Sequence, residues 1–449
     1  MKLFNDLKIK FENPDWTKNP EFGLIDSILE KHPEIIKLAS KDFENILMQD
    51  SKLGRQDKPT AEQIVRAAIY KEMKSYDYRE LEYAQSDSRI CATFIKLDER
   101  KPYCFQLFQK YISLIKAETL KEILIIINKT AIEEGFEDVE QIRQDTTVVK
   151  SNIHYPTDNS LLWDCIKESH RLLEHLKEEE ESFSYRDYKT SAKKTYYKIN
   201  NTKGSDKREE LFRKQLITFT KCINQLSNTV KKNYNSIGAF LIVLQIEEHI
   251  ILMQQAKDIV YRRMILKETV SNDEKIVSIY ERHADIIVKG GRDVLFGHKV
   301  ILTSGKSNLI LDCDIPRGNP SDALLYQPTV ERVIGAYDRI PRDSATDGGF
   351  ASKDNMEYSV KRGIVNTVFN KVVGSLQNVV SSKNIETRLK KWRSGIEGII
   401  SNLKRGFNLQ VCDWKGWEHF KSKVLWSVIG YNFRVLTQLV LQKLKTEIV

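Results

Sequence analysis

The chain has 449 residues, of which 41% are hydrophobic and 30% are charged, and its net charge is +9. This balance excludes an intrinsically disordered chain, and the length allows two or three domains with a sizeable core. Uninterrupted apolar runs such as residues 123–127 are far too short to span a bilayer, and the first residues lack an apolar signal core, so we expect a cytoplasmic protein.

The six cysteines form no C-x-x-C pair and accompany no histidine cluster. This pattern argues against a structural zinc site and predicts reduced, mostly buried thiols. The basic excess lies near the end of the chain, since residues 381–449 contain 13 Lys and Arg against 5 Asp and Glu, a net charge of +8. A surface of this sign suits a polyanionic substrate, and a basic tail that serves solubility is the alternative.

The first part of the chain, residues 1–136, is predicted to be helical. Thr60 with Gln63, and Asp77 with Glu80, have the spacing of capping boxes, each ahead of an apolar helical face. Short capped helices with small turns fit a helix-turn-helix DNA reader and fit a plain helical bundle equally well. The candidate phosphate contacts in this region are Arg66, Lys71, Lys74, Arg79, Arg89, Lys101 and Lys110.

A strand is predicted over residues 142–149, and it carries one acid, Asp145. His154 and Tyr155 follow it in a polar and aromatic turn, which Pro156 ends. These two side chains are as compatible with packing inside the turn as with contact to a substrate.

Long polar helices are predicted over residues 161–285. Aromatic and basic residues alternate over 185–213, which is typical of a DNA surface, although a solvated helix face has the same composition. Residues 240–264 are apolar at helical spacing, and this pattern favours either a core helix or a seam for a partner helix.

The β pattern returns at residue 290, with strands predicted over 299–303 and 309–315 around a hairpin turn. The turn contains Gly-Lys-Ser but lacks the upstream glycine of a phosphate-binding loop. Lys299, at the start of the first of these strands, is a candidate DNA contact or a structural residue. Asp347 ends a fourth strand ahead of two glycines, and residues 367–373 are predicted as a fifth.

One helix is predicted over residues 391–407, where apolar positions recur at helical spacing. Arg393, Glu397 and Lys404 would share one face of this helix. On an isolated helix such a face is most simply a solvated stripe of ion pairs. Four aromatic residues beyond it have a spacing that indicates core packing: Trp414, Trp417, Trp426 and Phe433.

The three acids Asp145, Asp347 and Glu397 give this face a second interpretation. Two carboxylates at strands and one on a late helix are what a two-metal phosphoryl-transfer site requires. Hard oxygen ligands hold Mg²⁺, and the metal ions activate the attacking oxygen and stabilise the leaving one.

These stretches together resemble a bacterial insertion-sequence transposase of the DDE class, whose catalytic core is ribonuclease H-like. Arg393, Glu397 and Lys404 fit the branch signature Y-x-x-R-x-x-x-E-x-x-x-x-x-x-K, in which Lys390 stands at the tyrosine position. The resemblance covers roughly residues 58–436. Four blocks are similar to the unclassified, ISNCY-like group: residues 145–158, 160–164, 296–300 and 318–322.

The resemblance implies an α/β fold with a ribonuclease H-like mixed sheet flanked by helices, an N-terminal helical DNA-binding domain and a helical insertion after the first strand. We accordingly expect a DNA-end-binding domain over residues 1–136 and the first part of the core over 137–160. The insertion would occupy residues 161–285, and the rest of the core, with the C-terminal helices, residues 286–449.

The resemblance further implies that Asp145, Asp347 and Glu397 hold Mg²⁺ or Mn²⁺ and catalyse cleavage at insertion-sequence ends, followed by joining of the 3′-OH to target DNA. Its implied DNA contacts are Arg393, Lys404, Arg405, His154, Tyr155 and Lys299. Double-stranded DNA is then the partner, with no membrane involved and a homodimer or larger assembly when ends are paired. Two alternatives stay open: a Mg²⁺-dependent nuclease without strand transfer, and a non-catalytic DNA-binding protein derived from a transposase.

Overall fold

A computed structural model describes residues 18–44, 58–97, 101–234, 236–289, 293–370 and 376–448. The chain divides into two compact units. We call Met1–Asn152 with His298–Val449 the core unit, and Ile153–Gly297 the inserted unit. Residues 371–373 of the predicted fifth strand lie outside the described residues.

The helices are as follows: α1 Pro20–Lys31, α2 Glu34–Lys41, α3 Ala61–Lys74, α4 Tyr78–Asp87, α5 Arg89–Phe94, α6 Phe105–Leu114, α7 Ala117–Glu133, α8 Asp158–Glu179, α9 Lys189–Asn201, α10 Ser205–Val230, α11 Ile237–Met264, α12 Asp322–Tyr337, α13 Lys353–Arg362, α14 Lys383–Arg393, α15 Gly395–Gly406 and α16 Trp417–Ile448. The strands are β1 Gln141–Ser151, β2 Asp285–Lys289, β3 Asp293–Ser304, β4 Ile310–Asp314, β5 Asp343–Asp347, β6 Asn366–Asn370 and β7 Val411–Cys412. A 3₁₀ turn covers Gly348–Phe350.

The core unit is built on a mixed sheet with strand order β3-β1-β5-β6, to which β4 adds beside β3 and β7 beside β1. β1, β5 and β6 are parallel neighbours, whereas β4 is antiparallel to β3. β5 is buried along nearly its whole length, as expected for a central parallel strand covered on both faces. Helices α12 and α14 pack against this sheet, so the architecture is an open α/β sheet flanked by helices.

Local sequence signals account for several helix starts. The predicted capping boxes are confirmed, since Thr60 and Gln63 exchange hydrogen bonds at 2.9 and 3.2 Å, and Asp77 and Glu80 do so at 2.7 Å each. Each box satisfies two backbone N–H groups that the first helical turn leaves without a partner. The cysteines are also as predicted, because all six are free thiols and only Cys104 is partly exposed.

The helices before β1 share a hydrophobic core with the C-terminal helix α16, which packs against α3 and α7. The predicted core role of Trp426 and Phe433 is confirmed, since both are buried there. Charged side chains also join these helices, because buried Glu72 contacts Lys71 at 3.0 Å and Lys423 at 2.8 Å. Whether residues 1–136 bind DNA ends stays a prediction.

The inserted unit contains α8–α11 around its own hydrophobic core. It also holds β2, which pairs antiparallel with residues 293–297 of β3. The sequence pattern missed β2, because it placed the return of β structure at residue 290.

Among the residues that the structure describes, two helices are long and apolar enough to cross a membrane by length and composition, α11 and residues 417–446 of α16. The apolar window of α16 is 67% buried, as in a core helix of a soluble protein, and that of α11 is 33% buried. Two such helices are only weak evidence for membrane spans and do not indicate a membrane protein.

Candidate active site

Asp145 and Asp347 lie side by side on neighbouring parallel strands. Gln144 of β1 is opposite Thr346 of β5, so the two acids occupy the next register position. Asp145 accepts a hydrogen bond from the Thr146 N–H at 2.8 Å, and Asp347 accepts one from the Gly348 N–H at 2.7 Å. β5 ends at Asp347, and the carboxyl ends of parallel strands are where open α/β sheets bind ligands.

Glu397 enters the site from the first turn of α15. The prediction of one continuous helix over residues 391–407 is wrong, since α14 ends at Arg393 and α15 begins at Gly395. Buried Ile396 faces the core, whereas the Glu397 side chain is 64% exposed. The chain therefore changes helix between the arginine and the acid, and the two side chains remain in contact.

The Arg393 guanidinium lies among the three acids. Its Nη2 is 2.8 Å from Asp145 Oδ2 and 3.8 Å from Asp347 Oδ2, and its Nη1 is 2.9 Å from Glu397 Oε1. The arginine side chain is only 7% exposed. Acids that are far apart in the sequence thus meet at one cation, and three carboxylates around one guanidinium leave a formal charge of −2.

The electrostatics of this cluster favour a further cation. Burial raises the pKa of Asp145, Arg393 opposes this, and the negative charges of Asp347 and Glu397 add to the increase. Carboxylate oxygens are the donors that Mg²⁺ prefers, so the residue types fit a hard divalent ion. Among the described residues, no three or more His, Cys, Asp and Glu side chains are already drawn together as a metal site, and the three acids contact Arg393 instead.

Arg143 joins β1 to the break between α14 and α15. Its Nε donates to Ser304 Oγ at 2.9 Å, and its Nη1 donates to the Trp392 carbonyl at 2.6 Å. Its guanidinium also lies over the Trp392 ring, 4.8 Å from the centroid. A Cβ on Gly395 would overlap Arg143 Nη1, so the guanidinium takes this position because residue 395 is glycine. Nothing in the local sequence pattern separates Arg143 from other strand arginines, so its role becomes visible only in the fold.

Asp322 is a further acid beside the site. Thr146 donates a hydrogen bond to its Oδ2 at 3.2 Å, and a Cβ on Gly349 would lie 3.1 Å from the same oxygen. Lys299 neutralises this acid at 2.7 Å and also donates to the Pro320 carbonyl. The structure thus gives Lys299 structural partners, while its predicted DNA contact remains untested.

The other predicted DNA contacts lie in different surroundings. On α15, Arg405 is exposed and Lys404 is half-buried. In the inserted unit, His154 pairs with Asp164 at 3.2 Å, and Tyr155 packs edge-to-face on Phe296 while remaining 72% exposed. None of these contacts to DNA is tested by the geometry, and all stay predictions.

Two of the N-terminal candidate phosphate contacts are excluded by burial. Arg66 is fully buried and pairs with Asp26 at 2.5 Å and Glu62 at 2.9 Å. Lys71 is buried against Glu72. Both side chains are paired with acids inside the helical core, so neither is available to a phosphate.

The sheet and the meeting of three carboxylates where β5 ends define a class: an α/β protein compatible with a ribonuclease H-like transposase domain. Residues 273–433 match the family model described as "Transposase DDE domain". This match supports a DDE-class transposase, a class that acts on DNA, generally uses divalent metals such as Mg²⁺, and is typically soluble and cytoplasmic. The matched segment contains Asp347 and Glu397. No curated protein and no solved structure matches the chain.

Proposed function

We propose that this protein is an insertion-sequence transposase that cuts DNA at the ends of its element and joins the freed 3′-OH to target DNA. The observation that carries the proposal is the convergence of Asp145, Asp347 and Glu397 on the single guanidinium of Arg393. Acids from two strands and a late helix have no need to meet for folding alone, since each could be solvated separately. A metal ion that all three carboxylates bind would give them a reason to meet.

In this proposal the three acids hold Mg²⁺ or Mn²⁺. When bound, the ions supply charge neutralisation at the reacting phosphate and activation of the attacking oxygen. Arg393 keeps the carboxylates together before the ions bind, and Arg143 holds the helix that carries Arg393 against β1. Asp322 accepts a hydrogen bond from Thr146, next to Asp145, and Lys299 neutralises Asp322.

The reaction has two transfers at phosphorus. A water oxygen attacks a phosphodiester at the element end, the bond to the 3′ oxygen breaks, and a 3′-OH and a 5′-phosphate result. That 3′-OH then attacks a target phosphodiester, a new P–O bond forms, and a target 3′-OH leaves. The protein does little covalent chemistry here, so orientation and preorganised charge account for its contribution to the rate.

DNA binding in this proposal rests on the net charge of +8 in residues 381–449, with exposed Arg405 and half-buried Lys404 beyond Glu397. His154, Tyr155 and Lys299 are the further proposed contacts. Arg393 is also proposed, and it would have to exchange its carboxylate partners for a phosphate. Residues 1–136 would bind the element ends, and the core would be divided by an insertion over 161–285. Paired ends would require a homodimer or larger assembly in the cytoplasm.

The test uses a duplex built from the DNA that flanks the gene, where we expect short inverted repeats. The purified chain with Mg²⁺ should nick this duplex at the repeat and join it to a labelled target, whereas Asp347→Ala should bind the duplex without cutting it. Cutting without joining would favour the nuclease alternative. Binding without cutting by the unaltered chain would favour the non-catalytic alternative, and failure to bind the repeats would refute the proposal.

A further inference from the structure

Helix α11 of the inserted unit carries an exposed apolar stripe. Five large side chains on it are between 42% and 81% exposed: Ile237, Phe240, Leu241, Leu244 and Ile251. Ile237, Leu244 and Ile251 are spaced by seven residues, and the other two fall between them at helical spacing. The five side chains therefore lie along one face of the helix, which we call the α11 stripe.

The opposite face of α11 already fills the core of the inserted unit. Ala239, Ile246 and Met253 are fully buried there, in contact with side chains of α8 and α10. A helix that serves only one core has a single apolar face. The α11 stripe is a second apolar face, and the packing of the described residues of its own unit does not account for it.

The area of the α11 stripe matches one half of a small protein interface. With side-chain areas of roughly 150–200 Å² each, the exposed fractions amount to about 500 Å² of apolar surface, near the upper end of patches found on monomers. Two such stripes would together bury about 1,000 Å², which is the lower limit for a stable specific interface. A second copy of the same stripe is therefore a partner of sufficient size.

We propose that α11 pairs with α11 of a second copy of this chain, in an antiparallel arrangement with Leu244 at the two-fold axis. In this register Ile237 of one helix lies opposite Ile251 of the other, and Leu244 lies opposite itself. Every residue of the seven-residue repeat then meets an apolar partner. The proposal concerns association alone and does not depend on whether the chain cuts DNA.

The charges on and beside the stripe favour this direction. Glu247 and Glu248 are both exposed on α11, and Glu248 lies on the stripe face between Leu244 and Ile251. In a parallel pair each would lie next to its own copy, and like charges would repel. In the antiparallel pair Glu248 lies opposite Phe240 and Glu247 lies opposite Leu241, next to the first turn of the partner helix, where the free N–H groups favour negative charge.

Cysteine cross-linking tests the arrangement directly. In a Cys104→Ser background, Leu244→Cys should form a disulfide-linked dimer on mild oxidation, because the two-fold axis brings this position against its own copy. Ile237→Cys alone should not, since its two copies would lie about 21 Å apart along the helices. Mixing Ile237→Cys with Ile251→Cys protein should restore the cross-link between the two species.

The association itself is measured by light scattering of the full chain. Leu244→Glu should raise the dimer dissociation constant by at least about 100-fold, because it buries a charge at the centre of the contact. The matched control is Gln245→Glu, which adds the same charge to an exposed position beside the stripe and should leave the dimer intact.

Three results would overturn the proposal. One is a monomeric chain in which Leu244→Cys does not cross-link. Another is self-cross-linking of both Ile237→Cys and Ile251→Cys, which requires parallel helices. The third is a chain that stays monomeric and binds vesicles of phosphatidylcholine and phosphatidylglycerol through the stripe, with binding lost in Leu244→Glu, since that outcome assigns the stripe to a membrane surface.

Discussion

Arg393→Ala is the most informative single change, because it removes the cation that the three carboxylates share. The variant keeps the backbone of α14 and shortens only a side chain that is 7% exposed. We expect lower thermal stability without divalent metal, and a larger stabilisation by Mg²⁺ than in the unaltered protein. The reason is that the carboxylates then lack the cation that offsets their mutual repulsion.

The size of the effect follows from burial. The pair with Asp145 joins side chains that are 7% and 15% exposed, and removing one partner of such a pair costs about 3–5 kcal/mol. The contacts with Asp347 and Glu397 add little, about 1 kcal/mol or less each, because these acids are 44% and 64% exposed. For a folding unit of the size of the core unit, losing about 3–5 kcal/mol of unfolding free energy lowers Tm by about 5–8 °C.

The assay is thermal unfolding in EDTA and in a series of Mg²⁺ concentrations. At 100 times its dissociation constant, Mg²⁺ should return about 2.7 kcal/mol to the variant. Arg388→Ala is the matched control, since Arg388 lies on the same helix, is 59% exposed and is 3.6 Å from Asp343. If Arg393→Ala in EDTA melts at the same temperature as the unaltered protein, the shared-cation interpretation is refuted.

Three further predictions concern the same core unit. Asp145→Asn should abolish Mg²⁺-dependent cleavage and lower Tm in EDTA by less than Arg393→Ala does, because burial already raises the pKa of this acid and Arg393 keeps Glu397 as a partner; a larger fall in Tm than in Arg393→Ala would contradict this. Arg143→Met should reduce cleavage more than it reduces DNA binding, measured on the same duplex, because it releases α14 from β1; equal losses of both would point to a general folding defect. Burial opposes ionisation of Glu72, yet Lys423 and Lys71 together lower its pKa. The ionised Glu72 therefore stabilises the fold fully above a pH of about 4.3, and this stability is lost as the pH falls through the lowered pKa. In urea unfolding, Glu72→Gln should flatten this acidic part of the curve of unfolding free energy against pH.

The sequence by itself determined the features that depend on neighbouring residues. The capping boxes at Thr60 and Asp77 are confirmed, because each needs only a side chain three residues away. The strand around Asp145 was predicted with its acid in place, since β-rich composition is also a local property. Free thiols followed from the spacing of the cysteines.

Tertiary structure decided what the acids contact. On sequence alone Arg393 is one member of a solvated stripe, but in the structure its side chain is buried and contacts Asp145, far away in the sequence. No periodicity encodes such a contact, because it depends on how α14 and α15 pack against β1. For the same reason Arg66 appeared to be available to phosphate and is instead enclosed by Asp26 and Glu62, since burial belongs to the assembled core and not to the segment.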